Sequence, residues 1–312
     1  MKNNSFKGLL RLKFLLRKFG LLLVFKMRSK TIREKLLISS FKQKADEISL
    51  SLAPNSNSEW NENSRQLLES IKTRDPGEFL RWEVVQKTMF VNNQPYIKKE
   101  LDYLANETQK KVRWGDAIIE NAVGCPPPYL LHLKSSGNLI HHAYHLAQLE
   151  EKIIIDVSSV DVVFEFGGGY GSMRRLFKNL GFIGNYIIFD LPIFSALQQF
   201  YLKYMDENDE TVYVTALDDL EPTLLEVLDE ERKSLFIATW SLSESPDFVR
   251  DAVARFLPLF DYILVAYQSE FGEIENVEYF SKFPETFKTH GWCKWEIKHL
   301  PNNYYLVGQK KQ

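Results

Sequence analysis

Short apolar runs recur along the second half of the chain: DVVFEF, NYIIFD, TVYVTA, SLFIATW, YILVAY, CKWEIK and YYLVGQ, all beyond residue 160. Helix-like stretches separate the first six. That alternation predicts a mostly parallel sheet with helices on both faces. The last two runs are joined only by HLPNN. A parallel crossover needs about a dozen residues, so these two must pair as a hairpin. The expectation is an α/β fold with seven strands, the last of them antiparallel.

Upstream the period is different. From 65 to 122 apolar residues fall at helical spacing, as in Leu80, Trp82, Val84 and Val85, then Leu101, Leu104 and Ala105. GCPPPY (124–129) must break any helix, because proline lacks an N–H and restricts the residue before it. IHHAYHLAQLEEKI then resumes a helical pattern. SLAPNSNSEWNENS (51–64) has little apolar content and reads as a loop or linker. The pattern therefore divides the chain into a basic amphipathic segment (1–50), a helical cap or substrate region (51–154) and a strand-rich domain (155–312).

Charge adds an asymmetry that a net charge of −2 conceals. Residues 1–33 carry ten Lys or Arg and no acid, so the rest of the chain has a balance of −12. An acidic body argues against nucleic-acid binding. In the basic head the longest apolar run is LLLVF, far short of the roughly 20 residues that span a bilayer. Charges interrupt any signal-peptide core as well. Two readings stay open: peripheral membrane contact through residues 1–30, with Phe and Leu at the boundary and Lys and Arg at anionic headgroups, or a helix packed on the body or a second subunit, as in a homodimer. Two cysteines are too few for a disulfide framework, so a cytoplasmic setting is expected, peripheral at the inner membrane face if the first reading holds.

The candidate chemistry starts at EFGGGYGSM. A glycine-rich turn between strand and helix lets a ligand approach backbone N–H groups. A dinucleotide fold wants G-x-G-x-x-G, but here Gly167 and Gly169 are followed by Ser172 at the third position. The pattern is instead E-x-G-x-G-x-G: Glu165, Gly167, Gly169, Gly171. A carboxylate there repels a pyrophosphate and attracts a cation. Asp190 ends the second run about 20 residues on, where a carboxylate can accept hydrogen bonds from ribose hydroxyls or cap the next helix.

This arrangement resembles the first motif of class I S-adenosylmethionine-dependent methyltransferases, a Rossmann-like fold. The resemblance implies S-adenosyl-L-methionine as co-substrate. Glu165 would serve its amino-acid end, Gly167, Gly169 and Gly171 its close approach, and Asp190 its ribose. Asp218 or Asp219, after the third run, would lie near the adenine, with helix capping as the alternative. FDLP (189–192) is similar to the second-strand motif of small-molecule O-methyltransferases, which carry a catalytic His in W-x-L-H-D after the fourth strand. Here Trp240, Ser241, Leu242, Ser243 and Glu244 stand there, Trp240 beside the cofactor by the same likeness, and Ser243 occupies the histidine's place.

The proton acceptor is then Glu244 or comes from IHHAYHL. On a helix His141 and His145 share a face, while His142 points about 100° away. Imidazole suits general-base work near neutral pH. Hydrogen-bonded core histidines are the alternative, and no H-E-x-x-H or nearby acid supports a metal there. GGGYGSM, FDLP, QQFYL, TWSLSE and YQSEFGEIEN are similar to a bacterial group of sugar O-methyltransferases, over about residues 120–308 and with IHHAYHL included. That likeness implies a sugar or glycan acceptor in surface-glycan or lipopolysaccharide synthesis. Gln268 and Asn276 follow the fifth run and could read sugar hydroxyls, while Tyr267 and Trp240 could stack on a sugar face or fill core. Mg²⁺ is used by some sugar methyltransferases, but no convincing set of oxygen ligands emerges. The other readings weighed are an O-methyltransferase of a phenol or polyketide, and a non-catalytic scaffold of the same fold.

Overall fold

The computed structural model describes residues 30–51 and 59–311. The basic head up to residue 29, and with it most of the predicted membrane-contact segment, lies outside the described residues. The chain forms two compact units. The first comprises the chain up to Tyr144 together with Gly169–Asn179 and Pro192–Asp209; the second comprises His145–Gly168, Leu180–Leu191 and Glu210 onward. Among the described residues no helix is long and apolar enough to cross a membrane.

In the first unit the N-terminal helices are α1 (Ile32–Ser51), α2 (Glu59–Thr73), α3 (Glu83–Thr88), α4 (Ile97–Leu104) and α5 (Thr108–Ala117). Helix α6 (Gly137–Ile153) starts here and passes into the second unit at His145. The polar stretch 51–64 is not all linker: α2 begins at Glu59, inside it. Glu59 and Glu62 in the first turn favour the helix N-terminus electrostatically. Asn63 and Ser64 are buried, the Ser64 hydroxyl donating to the Trp60 carbonyl (2.7 Å). Small polar side chains that bond locally can be buried without apolar character, which the hydropathy pattern does not register. The helical spacing around Leu80 is also interrupted, because Asp75 caps a short 3₁₀ segment, Pro76–Arg81, through the Gly77 N–H.

Two further helices of the first unit follow the glycine turn and the second strand: α7 (Ser172–Asn179) and α8 (Pro192–Met205). Phe41 of α1 stacks on Phe200 of α8 at 4.7 Å, and Tyr204 donates to Glu34 (2.6 Å). Phe79 sits among Tyr170, Phe200 and Tyr201 in edge-on contacts. Arg175 of α7 forms a buried ion pair with Glu120.

The second unit is built on a seven-stranded sheet of order β3-β2-β1-β4-β5-β9-β8. Its strands are β1 (Val162–Phe166), β2 (Asn185–Phe189), β3 (Val212–Val214), β4 (Ser234–Thr239), β5 (Tyr262–Gln268), β8 (His290–Glu296) and β9 (Asn303–Lys310); β6 (Glu270–Phe271) and β7 (Ile274–Glu275) form a separate small hairpin. Strands β1 to β5 are mutually parallel, and β9 runs antiparallel between β5 and β8. This is the expected α/β sheet of seven strands with its antiparallel last strand.

Strand position explains strand sequence. Every residue of β1 is buried and so are the first five of β4, hence their unbroken apolar runs. Edge strand β8 is instead mostly open to solvent, with only His290 buried and Gly291, Lys294 and Glu296 exposed. The unit's helices are α9 (Leu220–Val227), α10 (Asp247–Ala254), α11 (Asn276–Ser281) and α12 (Phe283–Thr286). Its core gathers Phe164, Phe236, Phe260, Val265 and Phe280.

Candidate functional site

Three neighbouring strands of the second unit bring carboxylates and an indole to their carboxyl ends. Glu165 lies opposite Ile188 of β2 and Ile237 of β4. Asp190 follows β2 directly, its N–H donating to the Val214 carbonyl (3.1 Å). Trp240 follows β4, its N–H donating to the Ala266 carbonyl (2.7 Å). Open α/β sheets bind ligands outside this edge.

Glu165 is buried, with the Tyr186 hydroxyl donating to its Oε2 at 2.8 Å. Burial pushes its pKa up to about 8; the Tyr186 bond opposes that shift, and the charge of Asp190 adds to it. No Lys, Arg or His of the described residues pairs with it. A buried carboxyl in that state ionises readily only when a cation arrives to accompany it. Asp190 is half-buried and accepts the Leu191 N–H (2.8 Å).

The turn after Glu165 is left-handed at Gly167, Gly169 and Gly171, with φ of 76°, 56° and 93°. At Gly167 the requirement is also steric, because a Cβ placed there would overlap the Ser241 side chain. The Ser241 hydroxyl donates to the Phe166 carbonyl, and the Gly167 N–H to the Phe189 carbonyl (2.8 Å). The turn is therefore fixed from both neighbouring strands.

Trp240 has a positive φ of 64°, rare for a bulky residue, and its indole N–H donates to Asn303 Oδ1 (2.7 Å). Its ring lies 5.1 Å from that of His145. His145 is fully buried and shares a short hydrogen bond between Nδ1 and the Tyr305 hydroxyl. Ser243, in the histidine's place of the motif, is also fully buried and donates to the Trp240 carbonyl (2.6 Å). Glu244 is half-buried and accepts from Gln268 Nε2 at 3.3 Å.

Two other expected site residues are enclosed in the second unit. Tyr267 is fully buried with its ring 4.3 Å from Phe280, so it fills core and offers no face to a sugar. Asn276 is likewise enclosed, its Oδ1 accepting from Arg250 Nη1 (2.9 Å). Alternation explains the error: Tyr267 and Gln268 are neighbours on a strand and point to opposite faces. Asp218 and Asp219 are exposed; Asp219 holds the N-cap position of α9 without a side-chain cap bond.

In the first unit, His141 is buried and pairs with the fully buried Glu100 through Nδ1 at 2.9 Å. An acidic partner thus exists, contrary to expectation, but it comes from α4, 41 residues away. His142 keeps some exposure; burial pushes its pKa down to about 3, the neighbouring His141 adding to the shift and Glu100 opposing it. The three histidines do not act as one cluster. Among the described residues no group of three or more His, Cys, Asp or Glu is arranged to hold a metal ion.

Sequence reasoning missed Tyr186, Ser241, Asn303, Tyr305 and Glu100, all of which orient candidate residues. Tyr186 had a signal: it sits in β2 two residues before Ile188, the partner of Glu165, and so on the same face. The others reach their partners only through tertiary folding.

No protein-family model matches the chain, and no curated protein matches it by sequence. Among solved structures, magnesium protoporphyrin IX methyltransferase from Synechocystis PCC 6803 with bound SAM is 11% identical, covers 71% of this chain and 100% of its own, and has a TM-score of 0.40. An O-methyltransferase family protein from Burkholderia thailandensis is 10% identical, with coverages of 84% and 75% and a TM-score of 0.39. Human N-acetylserotonin methyltransferase in complex with SAM is 9% identical, with coverages of 79% and 70% and a TM-score of 0.37.

Proposed function

We propose that the chain is an S-adenosylmethionine-dependent O-methyltransferase acting on a sugar hydroxyl. One observation carries the cofactor part: a buried Glu165, without a basic partner among the described residues, at the head of a left-handed glycine turn. The ligand that suits this arrangement brings a cation to the carboxylate and lies against bare backbone. The ammonium of S-adenosylmethionine meets the first demand, and its ribose hydroxyls meet Asp190. A dinucleotide would instead bring a pyrophosphate to a site that holds two acidic groups.

When bound, the co-substrate supplies an electrophilic methyl group on sulfur. The chain's own residues hold and align: Glu165 anchors the amino-acid end, Asp190 the ribose, and Trp240, pinned by Asn303, borders the same edge. Alignment of reactants is worth roughly 7–11 kcal/mol in such a displacement. Glu244 is the proton acceptor in this proposal, since it is half-buried, belongs to the same unit as Glu165 and Asp190, and has its carboxylate oriented by Gln268. His145 is enclosed and bonded to Tyr305, and Ser243 is enclosed and bonded to Trp240. Neither is presented to a substrate.

The sugar acceptor is supported by the softer motifs, FDLP, QQFYL and YQSEFGEIEN, and by a half-buried Gln268 amide at the strand edge. A thermal-shift comparison tests the cofactor class. S-adenosylhomocysteine at 1 mM should raise the melting temperature of the full chain, and NAD should not. Stabilisation by NAD alone would refute the proposal.

A further inference from the structure

Trp240 directly follows β4 and is half-buried, at the carboxyl edge that also holds Glu165 and Asp190. Its φ of 64° takes it out of the strand conformation. Strand alternation therefore does not decide where the indole lies, and a backbone so strained persists only where its surroundings over-determine it. Here bonds fix it on both sides. The Trp240 N–H donates to the Ala266 carbonyl (2.7 Å), and the Trp240 carbonyl accepts from the Ser243 N–H (2.9 Å) and the Ser243 hydroxyl (2.6 Å).

The indole is fixed separately, by β9. Its N–H donates to Asn303 Oδ1 (2.7 Å), and Asn303 Nδ2 donates to the Pro301 carbonyl (3.0 Å). Both ends of the amide are thus committed, and the oxygen is held toward the indole. Tyr305, two residues further along β9, lies on the same face of the strand. Its hydroxyl bonds to Nδ1 of His145, whose ring lies 5.1 Å from that of Trp240. Asn303 supports the indole directly, and Tyr305 supports it through His145.

Asn303 has a counterpart on β5. It pairs with Gln268 across the β5–β9 ladder, and side chains directly opposite each other in an antiparallel pair share a face. Gln268 Nε2 donates to Glu244 Oε1 (3.3 Å). One pair of facing amides therefore holds both ends of segment 240–244, Trp240 by accepting and Glu244 by donating. The hairpin that presents Asn303 is itself closed. The Asn303 N–H donates to the Leu300 carbonyl (3.1 Å), the Ile297 N–H to the Asn303 carbonyl (2.7 Å), and the Ser269 N–H to the Asn302 carbonyl (2.8 Å). All of these residues belong to the second unit.

We propose that Asn303 is a positioning residue for co-substrate binding: it holds the Trp240 indole where the S-adenosyl group meets it, without touching that group itself. The proposal rests on the methyl-transfer reading and extends it to the hairpin between β8 and β9. Without the Asn303 acceptor, the indole N–H turns to another acceptor or to water, and the ring moves with it.

The test is calorimetric titration of S-adenosylhomocysteine into the full chain, run as a double-mutant cycle. Asn303→Leu should weaken binding at least tenfold. Trp240→Phe, which has no indole N–H to hold, should weaken it at least fivefold. In the Trp240→Phe background Asn303→Leu should then change affinity less than twofold, whereas a residue that merely stabilised the fold would cost the same in both backgrounds. Should Asn303→Leu not fold, the smaller and polar Asn303→Ser takes its place in the cycle with the same expectations. Unchanged affinity in either single variant, or equal losses from the Asn303 variant in the two backgrounds, would overturn the proposal while leaving wild-type binding, and with it the methyl-transfer reading, in place. No binding to the wild-type chain would refute that reading and the proposal together.

Discussion

The Tyr186 hydroxyl donates a 2.8 Å hydrogen bond to the carboxylate of Glu165 across two parallel strands. It favours the ionised form of a carboxyl that burial pushes toward the neutral one. Tyr186→Phe therefore removes support for the charged state that a cationic ligand needs. Hydrogen bonds to charged groups are worth about 1.5–3 kcal/mol. The variant should bind S-adenosylhomocysteine about tenfold more weakly at pH 7, read by calorimetry, with its fold unchanged by circular dichroism.

The pKa of Glu165 also sets a pH dependence of stability in the ligand-free protein. Its folded value is raised to about 8, above an ordinary value of 4.5. Between those limits the unfolded chain loses the proton while the folded chain keeps it. The contribution of this group is therefore fully present below pH 4.5 and lost as pH rises to 8, by up to about 1.4 kcal/mol per unit. Glu165→Gln cannot ionise and should remove this slope. Urea unfolding at pH 6 and pH 8 checks it: the variant should gain on the wild type at pH 8.

Gly167 is constrained by its positive φ and by Ser241 at once. Gly167→Ala should cost about 1–3 kcal/mol from backbone strain, with the overlap added to it. In Gly167→Ala with Ser241→Gly the overlap is relieved but the strain is not. Thermal melts of the single and double variants should show partial recovery; no recovery would mean that Ser241 does not confine the turn.

Glu244 carries the proton in the proposed chemistry. Glu244→Gln keeps shape and its place beside Gln268 but cannot accept a proton. Turnover should fall about 10²–10⁴-fold, the usual contribution of a positioned base, while S-adenosylhomocysteine affinity stays within a few-fold. His145→Gln should show the opposite pattern, a lower melting temperature through the lost Tyr305 bond with less effect on the chemical step.

The sheet was legible because strand burial writes itself into residue type. Val162 to Phe166 and Ser234 to Ala238 are buried throughout and read as unbroken runs. The short HLPNN link announced the antiparallel end. The left-handed turn at Gly167 was legible for a different reason: a glycine run directly after a strand is a local, sequence-contiguous device. What pattern could not supply was partnership at a distance. The Glu100–His141 pair spans 41 residues and the His145–Tyr305 bond 160. Tyr267 and Asn276 were misplaced because proximity to a strand end does not say which face a side chain takes.

Calorimetric titration of S-adenosylhomocysteine into the wild type and Glu165→Gln at pH 6, 7 and 8 tests the central claim most directly. Binding of an ammonium to Glu165 requires the carboxyl to ionise, so wild-type affinity should strengthen with pH, by up to about tenfold per unit below pH 8. Glu165→Gln should be weaker at pH 8 by at least about 100-fold, the loss expected when one partner of a buried charge pair is removed, and its profile should be flat. Equal affinities in the two proteins, or a wild-type affinity indifferent to pH, would contradict the assignment of Glu165 as the residue that chooses the ligand.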